Sequence, residues 1–97
     1  MDGPNEVIHQ SVRLRIMAAL TALAPGEPGL DFVRLKKLTG ATDGNLGAHI
    51  SALEKAGFID VEKHFVDRRP RTTATATSEG RKAFAKHVAF LKSVIGD

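Results

Sequence analysis

Between Gly40 and the apolar series that begins at Leu46, only Ala41 and Thr42 precede a new helix-starting signal, and this short connection constrains the fold more than any other feature. Leu46, Ile50 and Leu53 recur at spacings of four and three up to Gly57, which describes one face of a helix. Before the glycine, Phe32, Leu35 and Leu38 follow Asp31 at spacings of three, and the Asp31 carboxylate is expected to accept an orphan backbone N–H as an N-cap. Gly40 suits the left-handed close of that shorter helix, Thr42 the N-cap of the next, and Asp43 its positive end. Two helices joined by about three residues that include a glycine form a helix-turn-helix.

Upstream, Ile8, Val12, Ile16, Leu20 and Leu23 recur at spacings of four, four, four and three, so a first helix is expected up to Pro25-Gly26-Glu27-Pro28-Gly29. Residues 1–5 read as a frayed start, and residues 1–7 are expected to form a flexible tail. Downstream of Gly57 the pattern changes, because Phe58-Ile59-Asp60-Val61-Glu62-Lys63-His64-Phe65 partly alternates with period two and Thr72, Thr73, Thr75 and Thr77 are β-branched. The intervening Asp67-Arg68-Arg69-Pro70-Arg71 predicts a β-hairpin with an exposed basic tip, since proline does not serve a central ladder. Thr77 or Ser78 then caps a last helix with two neighbouring apolar stripes, Phe84, Val88, Leu91, Ile95 and Ala83, His87, Phe90, Val94.

Helix, helix-turn-helix, two-stranded hairpin and helix is the order of a winged helix-turn-helix, an α+β class that is mainly helical. Its 97 residues leave room for one domain, residues 1–97, and a chain of this size has a thin core that a dimer interface would support. Residues 78–95 are the expected dimerisation helix.

Composition excludes several kinds of function. The chain has no cysteine, which removes disulfides, thiolate metal sites and cysteine nucleophiles. No apolar run approaches the ~18 residues of a membrane span, residues 1–10 lack the pattern of a signal peptide, and a cytoplasmic location without membrane partners is expected. Gly40, Gly44 and Gly47 match neither the P-loop nor the dinucleotide fingerprint, and His9, His49, His64 and His87 fall in separate elements. Neither catalysis nor a cofactor nor a metal is therefore expected. Lys and Arg total 14 against 11 Asp and Glu, and residues 63–92 hold eight basic and two acidic residues, which points to a polyanionic partner.

The run Asn45-Leu46-Gly47-Ala48-His49-Ile50-Ser51-Ala52-Leu53-Glu54-Lys55-Ala56-Gly57-Phe58-Ile59 resembles the recognition helix and following strand of ArsR- and MarR-type bacterial repressors. Asp67-Arg68-Arg69 resembles the MarR-type wing, and Thr77-Ser78-Glu79-Gly80-Arg81 the turn that opens the next helix; Thr42-Asp43-Gly44-Asn45-Leu46 is similar to small stand-alone winged-helix regulators. The resemblance covers about residues 11–95 and implies a transcriptional regulator that binds double-stranded DNA. Ala76 and Gly47 depart from the leucine and serine usual in such proteins, and the absence of cysteine means that thiolate metal sensing does not carry over.

Independently of that resemblance, ~100° per residue places Gly44, Asn45, Ala48, Ser51, Ala52 and Lys55 opposite the Leu46/Ile50/Leu53 stripe. These short side chains, with Thr42 at the helix start, would let the backbone sit deep in a major groove. Asn45 is the leading base reader because its amide pairs bidentately with adenine, the alternative being a capping role. His49 lies on the flank, suited either to a phosphate or base edge or to packing. Arg68, Arg69 and Arg71 suit phosphates or a narrow minor groove, and Lys36 and Lys37 are candidates for the DNA backbone. Asp43 is assigned to the helix end, or to accepting from cytosine N4.

For a homodimer, Ile8, Val12 and Ile16 of the first helix and Phe84, His87, Val88, Phe90, Leu91, Val94 and Ile95 of the last are the expected interface. Two recognition helices about one DNA turn apart, ~34–36 Å, would read a pseudo-palindrome. An unidentified small-molecule effector would have room only between the first and last helices. The competing reading is a winged helix that binds protein, which would expose apolar anchors on its third helix or wing.

Overall fold

The three helix starts for which a cap was expected carry one, with Thr77 rather than Ser78 capping the last helix. The computed structural model describes residues 4–8 and 10–96, with elements α1 (Ser11–Thr21), β1 (Leu30–Asp31), α2 (Phe32–Thr39), α3 (Asp43–Lys55), β2 (Ile59–Val66), β3 (Arg69–Ala76) and α4 (Ser78–Val94). Asp31 Oδ1 accepts from Arg34 N at 2.8 Å, Thr42 Oγ1 from Asn45 N at 3.3 Å and Thr77 Oγ1 from Gly80 N at 2.9 Å. Gly40 closes α2 in the left-handed region at φ 71°, with its N–H on Lys36 O, so the chain reverses into α3 within three residues.

The buried core consists of Ile8, Ile16, Met17, Leu20, Leu35, Leu46, Ile50, Leu53, Ile59 and Ala74, drawn from α1 and the turn before it, α2, α3 and the inner face of the sheet. Leu38, expected on the inner face of α2, is instead 52% exposed, and Thr39 is buried in its place. Phe32, Leu35 and Thr39 share the inward arc, and Thr39 satisfies its hydroxyl by donating to Leu35 O at 2.8 Å while accepting from Ala41 N at 3.3 Å.

The sheet has three strands in the order β1-β3-β2, all antiparallel. The third strand is only Leu30–Asp31, paired with Ala74 and Thr73, too short to leave a periodic signal. It forms because Gly29 lets the preceding loop lie against β3, where a Cβ would run into Ala74 O. A similar close approach at Gly80 seats the start of α4 on the Phe58 carbonyl, beside the Thr77 N–H that donates to it at 3.0 Å.

The hairpin tip is tighter than expected. Only Asp67 and Arg68 form the turn, with φ 51° and 66°, and Arg69, Pro70 and Arg71 lie inside β3. Positive φ at both central residues matches the right-handed twist of two strands joined by two residues. Val66 and Arg69 close that turn as a hydrogen-bonded pair, so the next pair, Phe65 and Pro70, exchanges no ladder bond and the missing proline amide costs nothing there.

The leading segment also differs from expectation. Helix α1 begins at Ser11, three residues after Ile8, and Asn5 Oδ1 accepts from the amides of Val7 and Ile8 at 2.9 and 3.0 Å, which seats Ile8 in the core ahead of the helix. Asn5 N donates to His87 Nδ1 on α4 at 3.1 Å. Residues 5 to 7 of the expected flexible tail are thus tied to the body, while residues 1–3 and His9 lie outside the described residues. At the other end of α1, Arg81 of α4 donates to Thr21 O and Leu23 O at 3.4 and 2.9 Å, satisfying carbonyls that the helix end leaves open.

Candidate nucleic-acid interface

Burial of Leu46, Ile50 and Leu53 turns the opposite face of α3 to solvent. Thr42, Gly44, Asn45, Ala48, Ser51 and Lys55 are exposed, whereas Ala52 and His49 are half-buried along one flank. Since Thr42 occupies the cap, Asn45 is not the capping side chain, and its exposed amide makes no hydrogen bond with the described residues. Gly44, already expected on the outward face, and Gly47, on the other flank, have open space around them. A Cβ at either would meet nothing within 4 Å. Glycine inside a helix costs about 1 kcal/mol relative to alanine, and packing within the chain gives no return at these two positions.

The second and third helices meet across an ion pair, Lys36 Nζ to Asp43 Oδ1 at 2.7 Å. Of the two candidate backbone lysines, Lys36 is therefore engaged by the first turn of α3, and Lys37 is exposed without an ion pair. Asp43 thereby has a second role besides complementing the helix end.

On the wing, strand alternation separates the three arginines. Arg68 is in the turn, and Arg69 and Arg71 lie on one face of β3 opposite Val66 and His64 of β2. Arg71 also lines an open cleft of about 450 Å³ with Glu27, Asp31, Asp60 and Glu62, so its charge faces carboxylates while those of Arg68 and Arg69 stand nearer the tip. The other face of the hairpin carries Lys63 and Phe65, cross-paired with Thr72 and Pro70, and Phe65 is 76% exposed. Beyond Val61 every residue of β2 is exposed, so the distal wing stands clear of the core.

Sequence reasoning missed Arg13. Its Nε donates to His49 Nδ1 at 2.9 Å and its Nη1 to Val7 O at 3.2 Å, which joins α1 to the flank of α3. Partial burial and the adjacent Arg13 charge hold the His49 imidazole below its ordinary pKa of 6.5. The only advance signal was a pair of arginines, Arg13 and Arg15, in a largely apolar helix, and nothing in one sequence says which partner either meets.

The expected dimer residues divide. Ile8, Ile16 and His87 are at most 1% exposed within a single chain, so they belong to its interior and offer no surface to a second copy. Val12, Phe84, Val88, Phe90 and Leu91 are half-buried, and Val94 and Ile95 are exposed at the end of α4. The periodicity that identified the stripes could not say that α1 and α4 pack on one another. Among the described residues no cluster of His, Asp and Glu could hold a metal ion, and no helix is long and apolar enough to cross a membrane.

Comparison with known proteins places this geometry. The chain is similar to an uncharacterised protein of Methanocaldococcus jannaschii, 34% identical over 83 residues and 86% of each chain. A transcriptional regulator homologue from Pyrococcus horikoshii OT3 superposes with a TM-score of 0.79 at 33% identity, over 94% of this chain and 86% of that one. The transcriptional repressor CouR, in a structure bound to a 23-mer DNA duplex, shares the fold at a TM-score of 0.66 and 22% identity, over 93% of this chain and 66% of its own. A family model for the winged helix DNA-binding domain matches residues 12–95, and the chain belongs to that family.

Proposed function

We propose that the protein is a homodimeric, sequence-specific transcriptional regulator that inserts α3 into the major groove of a pseudo-palindromic operator. The observation that carries this reading is the outward face of α3, where Gly44 and the short side chains of Ala48, Ser51 and Ala52 surround the uncommitted amide of Asn45. Asn45 reads adenine, Gly44, Ala48, Ser51 and Ala52 permit the approach, and Thr42 and Lys55 bracket the groove. Arg68 and Arg69 contact phosphates or the minor groove, with Arg71 further from the tip, and Lys37 holds the DNA backbone while Lys36 exchanges Asp43 for a phosphate. CouR on its duplex and the P. horikoshii regulator homologue support the partner and the role.

The dimer is assigned to the apolar end of α4, with Val94 and Ile95 at its centre, Phe90, Leu91 and Val88 beside them, and Val12 and Phe84 at the margin. A small-molecule effector would act between α1 and α4 of the paired chains, and the regulator would work in the cytoplasm. Titration of a fluorescent mixed-sequence duplex at several salt concentrations, with mass by light scattering, tests the assignment. Steeply salt-dependent binding by a dimer is expected, followed by recovery of an inverted repeat from random DNA. Absence of binding at low salt would overturn it.

One observation favours the rival reading of a protein-binding module. Phe65 and Val66 on the wing and Val33 on α2 are exposed apolar side chains of the kind an adaptor surface uses. Phe65→Ser separates the two readings, because DNA affinity survives it if the wing serves DNA through its arginines.

A further inference from the structure

Arg13 is a half-buried cation with no counter-ion among the described residues. Among the described residues the ion pair is Lys36 with Asp43, and no carboxylate pairs with Arg13. Its guanidinium is nevertheless held by two hydrogen bonds, Nε to His49 and Nη1 to Val7 O, so its direction is set before any ligand arrives. The bond to His49 also decides the chemistry of the imidazole. Arginine only donates, so Nδ1 is the acceptor, the neutral ring carries its hydrogen on Nε2, and that edge is a donor.

Both partners retain open donors. Among the described residues, neither Arg13 Nη2, on the same edge of the fork as Nε, nor His49 Nε2 has a partner. Among the described residues no buried side-chain nitrogen lacks a partner, so both atoms reach solvent. A pre-ordered, donor-only pair bearing one uncompensated positive charge is complementary to an oxyanion. Its place on the flank of α3, beside Asn45 one turn earlier, puts it against the wall of the groove that α3 enters, and that wall is built of phosphates.

We propose that Arg13 and His49 form a backbone-phosphate clamp between α1 and α3 that adds affinity for any duplex. The proposal rests on the DNA-binding reading and adds a contact from outside the helix-turn-helix and wing. Arg13 acts both as a phosphate ligand and as the positioning residue for His49.

The test is a salt series of duplex binding with wild type, Arg13→Gln, Arg13→Lys and His49→Ala, with thermal midpoints measured on each. Arg13→Gln is expected to weaken binding to every duplex alike and to lower the slope of log K against log salt by about one. Arg13→Lys keeps the charge without the fork, so the slope is retained while affinity falls. His49→Ala weakens all sequences without relaxing any base position. Nitrogen-15 spectra of the free protein should show His49 protonated at Nε2 and bare at Nδ1, with the Nε2 proton protected from exchange once duplex is bound. An unchanged slope in Arg13→Gln, an Arg13→Lys variant that behaves as Arg13→Gln does, or a change of base preference in His49→Ala would each overturn the clamp. If wild type binds DNA and loses affinity with the wing arginines but not with Arg13, only this inference fails; if wild type binds no DNA, the functional reading fails with it.

Discussion

The recognition helix and the wing present polar and basic groups to the same proposed ligand, yet they are supported in opposite ways. Helix α3 inserts Leu46, Ile50 and Leu53 into the core, so its outward residues are held by the body of the protein. The distal hairpin buries nothing beyond Val61 on β2, and below Ala74 on β3 its residues are at most half-buried. The contrast suits the two proposed tasks. Discriminating one base from another requires donors and acceptors placed to within tenths of an ångström, whereas attraction to a polyanion tolerates a loosely supported arm.

The contrast breaks most clearly through stability. Leu46→Ala removes the backing of α3 and should destabilise the domain by about 2–5 kcal/mol, read as a large fall in melting temperature. Phe65→Ala, on a larger but exposed side chain of the wing, should change stability by no more than about 0.5 kcal/mol. Binding sharpens the same comparison. Asn45→Ala should relax discrimination at one base position by roughly 1–3 kcal/mol with little change in salt slope. Arg68→Ala with Arg69→Ala should weaken all duplexes together and lower the slope by about two, one unit for each arginine; unchanged affinity and preference in both variants would refute the DNA assignment.

The wing also contains strain that is local to its tip. Arg68 sits in the left-handed region at φ 66°, a conformation that costs a non-glycine residue about 1 kcal/mol or more, whereas the preceding aspartate tolerates it better. Arg68→Gly creates the favoured Asp-Gly turn and should raise stability by about 1 kcal/mol while weakening DNA binding. A gain in both would mean that the Arg68 charge has no role. At the base of α3, Asp43→Asn releases Lys36 and removes a carboxylate from the DNA side, so affinity should rise for all sequences by less than about 1 kcal/mol while stability falls by a similar or smaller amount.

His49 adds a pH dependence to the supported region alone. Its folded pKa lies below 6.5, so the unfolded chain takes up the proton first. The stability that His49 contributes is therefore present above about pH 6.5 and is lost as pH falls through that value towards the lowered folded one. Wild type should lose more melting temperature between pH 7 and 5 than His49→Gln does; equal losses would show that burial and the Arg13 charge do not hold the ring neutral.

Much of this architecture was legible in the chain because the signals are local. Asp31, Thr42 and Thr77 cap the helices that follow them, Gly40 adopts the left-handed close, and Leu46, Ile50 and Leu53 repeat with the helical period. The misreadings involve residues whose environment comes from elsewhere in the chain. Thr39 hides its hydroxyl on Leu35 and so behaves as an inward residue, while Leu38 beside it points outward. Ile8 and His87 look like free members of apolar stripes, but they meet through Asn5, across 82 residues of sequence.

Local backbone chemistry and hydrophobic period, both written within a few residues, were enough to specify three helix caps, a helix-turn-helix and a basic hairpin. Tertiary packing decided the rest: the brief β1 strand admitted by Gly29 against Ala74, the start of α4 admitted by Gly80 against Phe58, and the pairing of Arg13 with His49. Those features depend on distances between segments far apart in the chain. Periodicity reports only which way a side chain faces within its own element, and what it meets there is settled when the elements pack.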